Sequence, residues 1–324
     1  MTKTKKIVLW SVVGIVLTTA AILGTIYDLQ ISKSLAQIND YNYLSTSFFG
    51  ILGETIGENI LYVLLVSAFA ILFFFLLKKP LSKKWLNYIL LSLFALASLV
   101  VCFYCINKTL EYIALHTSFG LDEFMESTLG LIVVILFSVC VDICAFILFN
   151  KLSLETLSHL WKWAVFVMFV AAISNGIVQG AKHIFDRTRY RAMVFVGDTD
   201  FSFYTPWYQI NTNKFHSVSA FADDFFKSFP SGHTCAAASS FALIALPTFL
   251  NKINTKKWNI ILWSTAIVYT IFVGLSRIVA GAHFFMDVFV GGMITFATTM
   301  ILLAIYKKFI QPKLNQNTNL NEKK

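Results

Sequence analysis

Charge is what this sequence has least of. Only 13% of its 324 residues are charged, against 57% hydrophobic and 16% aromatic, where a soluble domain carries roughly 25% charged residues. So few charges cannot cover a globule of this size, and the apolar residues must face lipid. Cysteine is sparse as well. All five (Cys102, Cys105, Cys140, Cys144 and Cys235) fall inside apolar runs and read as small buried hydrophobes, whereas a zinc site would need four converging ligands. The first apolar run lacks the small-x-small exit of a cleaved signal peptide, so it reads as an anchor. No internal repeat stands out. The net charge of +9 does not argue for nucleic acid, because most lysines lie in short clusters between apolar runs, the distribution of membrane topology signals.

Eight apolar runs are present: Ile7–Tyr27, Asn59–Leu77, Leu86–Ile106, Thr128–Phe149, Trp163–Gly180, Thr234–Leu250, Trp258–Ser276 and Phe284–Tyr306. Each is near the ~20 residues a helix needs to cross the hydrocarbon core. Lipid offers backbone groups no partners, so helices are the expected form. The expected fold is therefore all-α, a polytopic membrane bundle of about eight transmembrane helices. Lys78, Lys79, Lys83 and Lys84 follow the second run, Lys252, Lys256 and Lys257 the sixth, and Lys307, Lys308 and Lys313 the eighth. The positive-inside rule puts these clusters and both termini in the cytoplasm. The opposite loops carry Asp122, Glu123 and Glu126, and later Asp198, Asp200, Asp223 and Asp224. Three parts are expected: a two-span extension over 1–80, a catalytic core over 81–306 and a polar, disordered tail over 307–324.

Three separated segments hold the unusual polar residues, and this topology puts all three at the extracytoplasmic face. The first is Lys182-x6-Arg189-Tyr190, the second Pro230-Ser231-Gly232-His233, the third Ser276-Arg277-x5-His283-x3-Asp287. Seven residues make almost two helical turns, so Lys182 and Arg189 would share a face if the helix continues. Ser231 and Gly232 precede a new helix, whose free N–H groups and dipole suit an anion. His283 and Asp287 are spaced to share a helical face, and a carboxylate behind a histidine fixes its tautomer and supports its cation. Three cations, two histidines and a helix start suit a phosphoryl group.

In these motifs the chain resembles the type 2 phosphatidic acid phosphatase (PAP2) superfamily, which also includes bacterial acid phosphatases and vanadium haloperoxidases. The match falls on Lys182, Arg189, Pro230, Ser231, Gly232, His233, Ser276, Arg277, His283 and Asp287, within roughly 163–306. It departs at Tyr190, where the family usually has proline; altered loop geometry is expected there, not lost chemistry. The resemblance implies that His283 attacks phosphorus to form phospho-histidine and that Asp287 orients it. His233 would protonate the leaving oxygen and then activate water. Lys182, Arg189 and Arg277, with Ser231 and the Gly232 N–H, would hold the phosphate oxygens. It implies no metal and no cofactor, in keeping with Asp287 being the one acid in the motifs, since hard divalent ions want several oxygen ligands.

The expected activity is hydrolysis of a lipid phosphate: phosphatidic acid, an isoprenoid diphosphate or phosphatidylglycerol phosphate. A membrane carrier that only binds a phosphate-bearing lipid is the alternative, and His283 with Asp287 discriminates, because binding needs cations and no carboxylate-backed nucleophile. A haloperoxidase would use the same cradle for vanadate, but the membrane context speaks against it. Other polar residues read as structural. His116, His159, His183 and His216 are expected at surfaces or interfaces. Arg187, Arg191 and Asp186 are open between headgroup contact, pairing and solvation. Glu54 and Glu58 are expected to be solvated, with lining of the substrate entrance as the sharper option. Ser174, Asn175 and Gln179 are expected to bond between helices, and Asp142, costly inside a run, has no assigned role. The stretch from Cys235 to Ser240 allows close packing that would hold His233. The aromatic segment Phe201–Tyr208 packs on headgroups or covers the site.

Overall fold

The computed structural model describes residues 3–39, 42–117, 120–215, 219 and 221–312. His216, Lys313 and the rest of the tail beyond 312 lie outside them. The elements run in order as α1 (Lys3–Leu35), the short hairpin β1 (Ile38–Asn39) and β2 (Asn42–Ser45), α2 (Phe48–Ile56), α3 (Asn59–Lys78) and α4 (Lys84–Leu115). Then come α5 (Leu121–Glu126), α6 (Thr128–Asn150), α7 (Leu154–Phe185) and α8 (Tyr190–Phe195). The chain continues with α9 (Gly232–Ala238), a 3-10 stretch (Ser239–Ala245), α10 (Leu246–Phe249), α11 (Lys256–Val279) and α12 (Phe285–Ile305). The protein is an all-α polytopic membrane bundle. Among the described residues, seven helices are long and apolar enough to cross a bilayer, and their outer faces carry exposed apolar side chains such as Ile15, Leu96 and Leu136.

The sixth run differs from the others. It is a composite of α9, the 3-10 stretch and α10, buried along most of its length. Its small residues, Ala236 to Ser240, leave room for neighbours to close in. A 3-10 segment rises ~2.0 Å per residue against ~1.5 Å in an α-helix. Eighteen residues in this mixture therefore reach roughly 30 Å, enough to cross the core. Trp163 Nε1 of α7 donates to the Ala242 carbonyl at 3.0 Å. Thr295 of α12 donates to the Cys235 carbonyl at 3.0 Å. The central helix is thereby pinned on two sides.

The main hydrophobic core joins α3, α7, the composite helix and the end of α12 through Leu64, Ile71, Leu157, Trp163, Val167 and Phe249. Peripheral helices need fewer polar links. Ser98 of α4 donates to Asp142 of α6 at 2.6 Å, which gives the intramembrane acid its interhelical partner. Asn175 bonds within its own helix, to the Ala171 carbonyl, and Ser174 Oγ has no partner among the described residues. At the lysine-rich end, Lys78 caps the close of α6 on the Asn150 and Leu152 carbonyls, both at 2.7 Å. The three motif segments gather at the opposite end.

The short helix α2 lies outside the eight runs. Its glycine-spaced face lies against α11, so close that a methyl group at Gly53 would collide with the Ser276 side chain. This contact turns Glu54 and Glu58 inward.

Candidate active site

The first motif does not sit on one helix. α7 ends at Phe185, and Asp186 takes a left-handed φ of 45° while its N–H bonds back to the Lys182 carbonyl. Lys182 therefore projects from the last helical turn, whereas Arg187 to Arg189 run extended. Asn211 fixes this turn by donating to the Asp186 carbonyl at 2.9 Å and to Thr188 Oγ1 at 3.1 Å. Arg189 is the extended cap of α8 (φ −74°, ψ 148°) and Tyr190 its first residue. Those are the conformations a proline at 190 would favour, so the expected change of loop geometry is absent. Tyr190 fills the position with its ring, stacked on Phe201 at 5.4 Å.

His283 lies in the short turn between α11 and α12 and is almost fully buried. Its Nδ1–H donates to the Ser228 carbonyl at 2.6 Å, because a carbonyl can only accept. That bond fixes the tautomer and leaves the Nε2 lone pair uncommitted. Asp287 Oδ2 stands 3.8 Å from Nδ1, so its support is electrostatic and passes through Ser228. Ser228 Oγ donates to Asp287 at 2.5 Å, and the Phe284 N–H donates to the same oxygen at 2.9 Å. Burial, and then the positive Arg189 and Lys182, hold the His283 imidazolium well below the usual histidine range, although Asp287 pulls the other way. His283 is therefore neutral near pH 7, the state a nucleophile needs.

Arg187 is fully buried and not at the surface. It bonds Asp287 at 2.5 Å and Asp28 at 2.8 Å. Asp28 belongs to α1, just past a kink at Tyr27, and its other oxygen accepts the Met286 N–H at 2.8 Å. The first apolar run thus reaches the site through one acid. The segment Phe201–Tyr208 closes over this network: the Thr205 carbonyl accepts from Arg187 Nε at 2.8 Å, the Tyr204 ring lies against the guanidinium, and Trp207 bonds Thr25.

Around His283 stand the parts of an anion cradle. Ser231 caps α9, accepting from the Thr234 N–H, while its own N–H bonds the Asp287 carbonyl at 2.9 Å. The first N–H groups of the helix, at Gly232 and His233, have no intrahelical partner. A methyl group at Gly232 would sit 3.6 Å from Lys182 Nζ, so the lysine reaches the helix start. Lys182 Nζ has no hydrogen-bond partner among the described residues. Gly291 lets α12 pass beneath the second motif, since a methyl there would come within 2.5 Å of the Ser231 carbonyl.

Arg277 is 1% exposed and donates through Nη2 to Glu54 at 2.8 Å. Its Nε and Nη1 are buried without a partner among the described residues. Arg189 is more committed: Nε and Nη2 hold Asp224, at 2.8 and 2.7 Å, and Nη1 reaches the Ala282 carbonyl at 3.3 Å. Burial would raise the Asp224 carboxyl, but Arg189 and Arg191 more than offset it and hold it well below the usual carboxylate range. Tyr43, whose phenol burial pushes up to about 12, stays protonated and donates to the same carboxylate at 2.9 Å.

Several residues expected at the surface are inside. Glu54 is 4% exposed and faces Arg277, Arg191 (3.4 Å) and His116 (3.3 Å). Glu58 approaches His233 Nδ1 at 3.3 Å. Asp186 pairs with Lys214 and with neither neighbouring arginine. His159 and His183 are exposed as expected. Beyond the motifs, then, Asp28, Glu54, Glu58, Arg187, Asp224 and Ser228 all enter the site. The available signal was isolation: Asp28, Glu54 and Glu58 are lone charges in apolar surroundings, where an ionisable group is costly unless it is used. Ser228 and Arg187 offered no such signal.

A groove of about 520 Å³ opens beside the second motif, lined by Glu58 just before α3, Tyr62 and Phe69 of α3, Met168 and Gln179 of α7, and Gly232. It runs about 16 Å along α3 and α7, at ~1.5 Å per residue. Among known families, the model of the PAP2 superfamily matches residues 163–311. No curated protein and no solved structure matches the chain.

Proposed function

Residues 163–311 of the chain belong to the PAP2 superfamily, which generally comprises phosphatases, and from that premise we propose that the protein hydrolyses a lipid phosphate or diphosphate at the extracytoplasmic face. The observation that carries the chemistry is His283: neutral, held by the Ser228 carbonyl through Nδ1, with Nε2 left for attack. The lone pair of Nε2 forms an N–P bond as the bond to the leaving oxygen breaks. His233 gives that oxygen a proton. In the second step His233 takes a proton from water, the water oxygen attacks phosphorus, and the N–P electron pair returns to Nε2. Lys182, Arg277 and the N–H groups of Gly232 and His233 meet the charge that develops on the phosphoryl oxygens. Arg189 contributes from its bonds to Asp224. Asp287, held by Arg187, supports the positive charge that His283 gains.

Two observations support a lipid substrate. The groove leaves the site sideways, between helices whose outer faces are apolar, and its far end is lined by Leu65, Phe69 and Met168. One acyl or prenyl chain fits along it while the phosphate meets Lys182. The extracytoplasmic placement is supported by the lysine clusters at the far end of the bundle.

Purified protein assayed for phosphate release tests this reading. Phosphatidic acid, phosphatidylglycerol phosphate and isoprenoid mono- and diphosphates form the panel, with p-nitrophenyl phosphate as the soluble control. At least one lipid should be turned over with higher kcat/KM than the control. Binding without release from any of them would favour a carrier, and preference for the soluble ester would remove the lipid assignment.

A further inference from the structure

The family motifs supply a carboxylate behind one histidine only, His283. Resting on the phosphatase reading, we propose that Glu58, from the junction of α2 and α3 and outside the segment matched by the family, is the positioning residue of the second histidine, and that Glu58 and His233 together hold the proton taken by the leaving oxygen.

Hydrogen-bond bookkeeping carries this. His233 Nε2 lies 3.2 Å from the backbone carbonyl of Glu54. A carbonyl only accepts, so Nε2 bears a hydrogen. Nδ1 lies 3.3 Å from Glu58 Oε1. With Nε2 protonated, a neutral ring would turn its Nδ1 lone pair on a carboxylate oxygen, which is repulsive; a second proton at Nδ1 turns the contact into an ion pair. Taking up one proton makes the pair an imidazolium with a carboxylate, or an imidazole with a carboxylic acid. Both forms have zero net charge, which suits a dry site, and both carry a proton ready to leave.

The surroundings hold the pair in register. Tyr62 donates to Glu58 Oε2 at 2.8 Å, which aims Oε1 at the ring. The Tyr112 ring meets the imidazole edge-on at 5.5 Å. A methyl at Gly57 would come within 3.3 Å of His233 Cδ2 and 2.9 Å of Val273, so α2 is seated directly on the histidine. The other charged groups that act on the pair are Lys182 of α7, Arg277 of α11 and Glu54 of α2. Glu58 and Gly232 also line the mouth of the lateral groove. The organic part of the substrate leaves on this side, where its oxygen meets the proton.

The proton balance closes over one turnover. In the first step the P–O electron pair stays on the leaving oxygen, which takes the proton of the pair and departs as an alcohol, leaving neutral imidazole beside carboxylate. In the second step attacking water returns one proton to the pair.

The test is the dependence on leaving group. Wild type, Glu58→Gln, Glu58→Asp and Tyr62→Phe are compared on dodecyl phosphate, whose alkoxide needs protonation, and on p-nitrophenyl phosphate, whose phenolate needs little. Glu58→Gln should lower the pre-steady-state rate of phospho-enzyme formation about 10²–10³-fold on dodecyl phosphate and less than about tenfold on the aryl ester. Glu58→Asp should recover part of the loss. Tyr62→Phe, which keeps both partners, should shift the ratio in the same direction by a smaller factor, and it serves if Glu58→Gln does not fold. Equal losses on both esters would mark a merely structural role and overturn the proposal, as would an unchanged ratio in Glu58→Gln and Tyr62→Phe. A wild type inert on both probes overturns the phosphatase reading and this proposal with it.

Discussion

Replacing Arg187 with methionine would leave the carboxylates of Asp28 and Asp287 together in a dry interior with no cation between them. The guanidinium bonds one at 2.8 Å and the other at 2.5 Å, and all three side chains are fully buried. Breaking a buried pair by removing one partner costs about 3–5 kcal/mol, because the remaining charge is uncompensated. Here two charges are orphaned, so the loss should fall at the upper end of that range. Asp287 keeps Ser228 Oγ and the Phe284 N–H, and Asp28 keeps the Met286 N–H, so some folded protein should survive. Adding Asp28→Asn removes one of the stranded charges. The double variant should therefore lose less stability than the two single losses added together, by about 0.5–3 kcal/mol, the usual coupling of residues in one network. The assay is the unfolding midpoint in detergent, with phosphate release in parallel. Arg187→Met as stable as wild type, or a double variant with additive losses, would refute the account of this network.

Other substitutions probe other parts. Gly291→Ala should push the second motif off the helix start, costing about 1–3 kcal/mol as overpacking and lowering kcat more than it changes expression. Thr212→Cys is exposed beside the site and should react with an impermeant thiol reagent in intact cells, whereas Lys256→Cys should not; the reverse pattern would invert the topology. His283 has a folded pKa below its ordinary value, so its contribution to stability is complete above about pH 6.5 and is lost as pH falls below that value toward the folded pKa. His283→Gln should therefore melt with a smaller difference between pH 7 and pH 5 than wild type.

The sequence was most informative where the signal is local. Each of the eight apolar runs falls on a helical stretch, because lipid forces backbone groups to pair within the segment. The sixth lost its regular α-helix because small side chains let neighbours crowd it. Helix α2 lies outside the eight runs, and its glycine-spaced face has a partner only once α11 packs against it. The same distinction divides the site. Ser231, Gly232, His283 and Asp287 announce themselves by short spacing, whereas Arg187 meets Asp28, and Glu58 meets His233, only through the tertiary fold. The break after Phe185 was foreseeable as a possibility only, because nothing local forces Asp186 into a left-handed turn.

The nature of the trapped intermediate bears most directly on the central claim. Protein mixed with a 32P-labelled substrate and quenched within milliseconds should carry label that is acid-labile and base-stable, as a phosphoramidate is, and that maps to His283. The label should disappear in His283→Gln. With p-nitrophenyl phosphate it should accumulate in His233→Ala, because hydrolysis has lost its base while the leaving group needs little help. Label that maps to Ser231, or that persists in His283→Gln, would contradict the assignment of His283 as the nucleophile.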